Sequence, residues 1–156
     1  MAAMSDYLEN KLIDFLFRAQ ALGITGASAG AGTGPSALYV GLYTANPTDT
    51  AGGTEVSGGS YARVLVTSAL GAWDNTQAAS STAVSSGTGG TTRNQSAITF
   101  PAPTANWGTV TGMALFDAAS GGNMLIWSAL TVSKTVNNGD AAPSFAANAL
   151  TFQIDN

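Results

Sequence analysis

The sequence predicts a mainly β fold: a single-domain antiparallel β-sandwich or jelly-roll-like barrel with one N-terminal amphipathic helix. Three observations lead there. After residue 36, short apolar or alternating segments recur between Gly, Pro and Asn turn signals. Only the first two dozen residues carry a helical period. The length, 156 residues, suits one domain over 1–156 with a core of its own.

The helix is expected over residues 5–23, with its body from Asp6 to Leu22. Ser5 or Asp6 can cap it, and Asp6 and Glu9 have capping-box spacing. Leu8, Leu12, Phe15 and Leu16 recur at three and four residues and form the expected packing face, widened by Ile13 and Phe17. Asp14 and Arg18 stand four apart, a small gain. Gly23 can end the helix. Residues 25–36, TGASAGAGTGPS, read as a flexible loop. No strand precedes these glycines, which argues against a dinucleotide site.

The strands follow. ALYVGLYT from Ala37 ends at the Asn46-Pro47 turn. YARVLVTS from Tyr61 is a second strand. Residues 69–93 form a long Ser/Thr/Gly-rich loop around Trp73, with a weak strand near 78–84. NQSAITF runs into the prolines at 101 and 103. GTVTGMALFDA and NMLIWSALTVS flank ASGG as a hairpin. NNGD at 137–140 is a turn. Leu150, Phe152 and Ile154 alternate with polar residues, the mark of a half-buried strand.

Composition narrows the function. Charged residues make up 9% of the chain, against about 25% in an average soluble protein. A surface this neutral suits a protein packed against neighbours, and a homo-oligomer is expected. The net charge is −4 and the five basic residues are scattered, so no nucleic-acid partner is expected. With no Cys and no His, disulfides, thiolate or imidazole metal sites and His-dependent triads are excluded. The N-terminus carries Asp6 and Glu9 where an export signal has basic residues, and no run reaches the length of a membrane helix, so neither export nor a membrane partner is expected.

The acids are few. Asp49 and Glu55 share a Gly-rich loop, and Asp117 and Asp140 sit at turns, where Asp most often caps its own backbone. Asp49 and Glu55 could supply two oxygen ligands to a calcium ion, but the segment lacks the alternating acids of an EF-hand loop. No catalytic residue, metal ligand or cofactor is expected. In GGTEVSGGSYARV, Glu55 and Arg63 are read as a structural clasp or interface pair, because a bidentate guanidinium–carboxylate bond fixes a loop against a sheet. Trp73, alone in a polar loop, is the candidate interface aromatic.

SDYLENKLIDFLFR, ALYVGLYTANPTD, GGTEVSGGSYARV and ANWGTVTGMALFDAASGGNMLIWSALTVSKTVNNGD together resemble a family of small virion structural proteins of tailed bacteriophages, often labelled tail-fibre-like. The resemblance implies no catalytic residue. It implies a non-enzymatic virion protein assembled in the host cytoplasm, with other virion proteins (the major capsid protein or tail proteins) as partners. The chain shows no heptad or repeated shaft, which points first to capsid decoration or cement on the head lattice. A tail or tail-fibre component touching the host receptor is the alternative.

Overall fold

The computed structural model describes residues 4–24, 32–49, 52–74 and 83–154. Its elements are α1 (Asp6–Arg18), β1 (Ala37–Ala45), β2 (Thr54–Glu55), β3 (Val64–Thr67), β4 (Thr91–Arg93), β5 (Ile98–Thr99), β6 (Gly108–Phe116), β7 (Met124–Val136), β8 (Ser144–Phe145) and β9 (Thr151–Gln153). The protein is mainly β with one N-terminal helix, and every strand pair whose register is defined is antiparallel. Among the described residues no sheet closes into a barrel. Most of the expected loop at 25–36, and residues 75–82 of the expected loop and weak strand, lie outside the described residues.

The chain gathers into two compact units. The first contains Met1–Ser36, Thr67–Ala97 and Phe145–Asn156; the second contains Ala37–Val66 and Ile98–Ser144.

The second unit is built on a sheet in the order β2-β1-β6-β7, with β3 also on β1. The β1–β6 ladder runs from Tyr39↔Phe116 to Tyr43↔Gly112. Because side chains alternate along a strand, Tyr39, Gly41 and Tyr43 share one face with Phe116, Ala114 and Gly112. Val40 and Leu42 share the other with Leu115 and Met113. Both faces of this pair are buried, and Val40, Ala114 and Leu115 are wholly so. β7 continues past the expected boundary at Ser133 to Val136.

In the first unit α1 stands with β4 and β9, which pair from Thr91↔Gln153 to Arg93↔Thr151. Ser5 caps the helix only through its backbone, its carbonyl accepting from the amides of Leu8 and Glu9. The helix stops at Arg18, short of the expected Leu22. Ala19 takes the left-handed conformation at φ 54°, and the Gln20 amide turns back to the Asp14 carbonyl. A left-handed closing residue ends a helix whether or not it is Gly.

The helix face also differs from the expectation. Leu8, Leu12, Phe15 and Leu16 are half-buried, whereas Ile13 and Phe17 are wholly buried and Glu9, Asn10, Asp14 and Arg18 are buried with them. The reason is a polar strap. The Ser85 amide and hydroxyl donate to Asp14 at 2.8 and 2.7 Å, Arg18 Nη1 donates to Asp14 Oδ1 at 2.6 Å and to the Ala83 carbonyl at 3.0 Å, and Asn10 donates to the Gly87 carbonyl. The Asp14–Arg18 pair is therefore an internal one.

Trp73 requires a correction. It is not an exposed interface aromatic but a wholly buried core residue. Its ring meets Phe17 edge-on at 4.9 Å and Phe152 at 5.7 Å, and its backbone bridges to Asn94. Asn94 holds this region together: its side chain donates to the Ser96 and Ala146 carbonyls and accepts from the Leu150 amide, while its own amide donates to the Leu150 carbonyl. The backbone on either side of Trp73 is satisfied as well: the Asp74 amide donates to the Arg93 carbonyl and the Gln95 amide to the Ala72 carbonyl.

Candidate functional site

The segment GGTEVSGGSYARV forms a short strand, a tight turn and the approach to β3. Gly58, Gly59 and Ser60 all have positive φ, and the Tyr61 amide donates back to the Gly58 carbonyl. At Gly59 a Cβ would come within 3.0 Å of Ala105 and of Trp107 Nε1, so glycine is needed for space as well as for conformation. Trp107 Nε1 donates to the Gly59 carbonyl at 2.9 Å, which fixes the turn.

The turn brings Glu55 and Arg63 face to face. Arg63 Nε donates to Glu55 Oε1 and Nη2 to Oε2, both at 2.8 Å, a bidentate pair. The Arg63 side chain is 9% exposed and that of Glu55 25%. Arg63 Nη1 donates to the Ala118 carbonyl at 3.0 Å and to the Gly121 carbonyl at 2.7 Å. The guanidinium carbon lies 3.3 Å from the centre of the Phe116 ring. One side chain thereby ties the β2 end, the floor of the sheet and the tip of the β6–β7 hairpin together.

Tyr61 completes the cluster. Its hydroxyl donates to Glu55 Oε1 at 2.9 Å and accepts from the Leu42 amide at 2.8 Å. Its ring stacks on Phe100 and meets Trp107 edge-on. Burial, more than the Glu55 charge, pushes the phenol well above the ordinary tyrosine range. The hydrogen bond with Glu55 likewise raises Arg63. Both shifts keep Tyr61 and Arg63 protonated at neutral pH, as their bonds to Glu55 require. The adjoining surface is an open groove of about 410 Å3, bordered by Glu55, Ser57, Tyr61, Arg63 and Ser120.

Two partners escape a reading of the segment alone. Tyr61 is inside it but looks like a strand residue. Gly41 is in β1, and a Cβ there would sit 2.9 Å from Glu55 Oε1, 3.0 Å from the Phe116 ring and 3.2 Å from the Tyr61 hydroxyl. A lone Gly inside the bulky run ALYVGLYT is the available signal, because such a Gly marks a close approach. Gly41→Ala is expected to force the Glu55 carboxylate off its partners and to destabilise the fold by about 1–3 kcal/mol, the usual range for overpacking. Urea unfolding of the variant checks it, and wild-type stability would contradict the close approach.

At the hairpin tip, Asp117 accepts from the Asn123 side chain and amide, both at 2.7 Å, and these bonds hold its carboxyl below the ordinary range. Asp140 likewise accepts from the Asn137 amide, closing its own turn. Asp49 accepts from Trp127 Nε1 at 3.3 Å. The expected packing residues Leu8, Leu12, Phe15 and Leu16, and Trp73, are all in the first unit and take no part in the Glu55–Arg63 cluster. Chemically the cluster holds a carboxylate whose two oxygens both accept bonds from neighbours, which suits an anchor better than a proton shuttle.

No helix among the described residues is long and apolar enough to cross a membrane. A search of curated proteins finds no match to the chain. The chain belongs to the family described as Podophage GP4 fiber I protein gp80, whose model matches residues 3–153.

Proposed function

We propose that this protein is a non-enzymatic fibre component of a tailed-phage virion, assembled in the host cytoplasm and attached through other virion proteins at the tail. The observation that carries the reading is the family's description as a fibre protein, matched over nearly the whole chain. The Glu55 carboxylate agrees with it: a group bonded on both oxygens by Arg63 and Tyr61 serves as a structural clasp. Capsid decoration is the second reading, favoured by the lack of any heptad or repeated shaft in the sequence and by a single helix of 13 residues among the described residues.

The two readings separate by location. Antibody-gold labelling of intact particles, and of purified tailless heads, is expected to place the protein at the tail in few copies and to leave heads unlabelled. Label over the whole head surface would replace the fibre reading with decoration, and particles free of the protein would remove both.

A further inference from the structure

β7 is an edge strand of 13 residues, paired among the described residues only with β6. Edge strands expose unpaired backbone donors and acceptors, and proteins usually blunt them with short length, charge or proline. β7 has no proline and one charge, Lys134. Its pairing with β6 is regular from Ile126 to Ala129 and shifts register on both sides: next to Leu125, and again across Leu130–Ser133, where the register passes from Ala129↔Gly112 to Lys134↔Val110. Bulges often protect an edge by re-aiming side chains. Here each irregularity carries one exposed apolar side chain, Leu125 at 38% and Val132 at 78%.

We propose that β7 pairs with β7 of a second copy of this chain, antiparallel across a twofold axis near Ser128. Charge decides for this occupant. The axis places residues six positions on either side of Ser128 opposite one another, so Lys134 of each copy comes to Gly122 of the other. A Cβ on Gly122 would be 2.4 Å from Asp117 Oδ1, so the exposed carboxylate of the hairpin tip lies at that spot. The strand's only cation meets the tip's only anion, twice, and the two Lys134 stay far apart. The same pairing covers Leu125 and Val132 of both copies. An isologous contact of this kind closes after two subunits.

The chain has no cysteine, so a single introduced thiol reports the axis. Ser128 is exposed, and antiparallel partners have Cα atoms about 4.5–5.5 Å apart, within disulfide reach. Full-length Ser128→Cys is expected to cross-link to a covalent dimer under mild oxidation far faster than Ser120→Cys, an exposed control at the hairpin tip. By light scattering the wild type is expected to be a dimer. Lys134→Glu should weaken it about tenfold, and Lys134→Glu with Asp117→Lys should restore it. A monomeric wild type, Ser128→Cys cross-linking no faster than the control, or a dimer indifferent to Lys134→Glu would each overturn the proposal.

Discussion

Arg18→Ala is expected to destabilise the fold by about 3–5 kcal/mol, the cost of leaving one member of a buried ion pair without its partner. Arg18 has no exposed surface and Asp14 is almost wholly enclosed. Removing the guanidinium takes the paired charge from the Asp14 carboxylate, which keeps the bonds from the Ser85 amide and hydroxyl, and removes the Arg18 bond to the Ala83 carbonyl. Asp14→Ala should cost a similar amount, and the double replacement less than the sum of the two, because the second change removes the orphaned charge. Leu12→Ala, on the half-buried face, should cost less, about 1–2 kcal/mol. Urea unfolding of the four variants measures all of these. An Arg18→Ala loss below that of Leu12→Ala would mean that the polar strap contributes little and the apolar face carries the helix.

The helix shows where a sequence stops informing. Its existence and amphipathic character are plain from the spacing of Leu8, Leu12, Phe15 and Leu16, but its buried face takes in Glu9, Asn10, Asp14 and Arg18 beside Ile13 and Phe17. Periodicity assigns polar residues to water. It has no access to a Ser/Gly strap some 70 residues later that brings hydrogen-bond partners to them. β1, β6 and β7 were legible because they are bulky and bounded by turn residues, and β9 because the alternation around it runs on through Leu150 and Ile154. β2, β4 and β8 are two or three residues long, too short for alternation to register, and they exist only through their partners. Trp73 was misplaced for the same reason as the helix face: the sequence around it is polar, and its contacts with Phe17, Phe152 and the Asn94 backbone are tertiary. In the second unit, the approach of Glu55 to Arg63 was visible from their nearness in a Gly-rich turn. Gly41, Phe116 and the Ala118 and Gly121 carbonyls reach the cluster through sheet pairing and the hairpin, which no local pattern encodes.

The second large effect is expected at that cluster. Arg63→Ala removes a bidentate pair, two bonds to the hairpin tip and a cation over Phe116, and should cost about 2–3 kcal/mol, below the fully buried range because Glu55 retains some contact with water. Arg63→Lys should recover little of it, since a point charge cannot bond both Glu55 oxygens and both tip carbonyls at once. Amide exchange at residues 117–123 should quicken in both variants, as the tip loses its tether.

Glu55→Gln is the most direct test of whether this cluster is a structural clasp, because it keeps the shape while removing the charge and turning one of the two acceptor oxygens into a donor. Residues kept for chemistry are commonly neutral or stabilising when replaced, whereas anchors destabilise. The measurement is the unfolding free energy of Glu55→Gln against wild type. A loss of about 1.5–3 kcal/mol, the value of a charge-assisted hydrogen-bonded group, is the expected result. An unchanged or raised stability, together with a wild-type glycan-cleaving activity that Glu55→Gln abolishes, would contradict the clasp and make the groove beside Glu55 a reaction site.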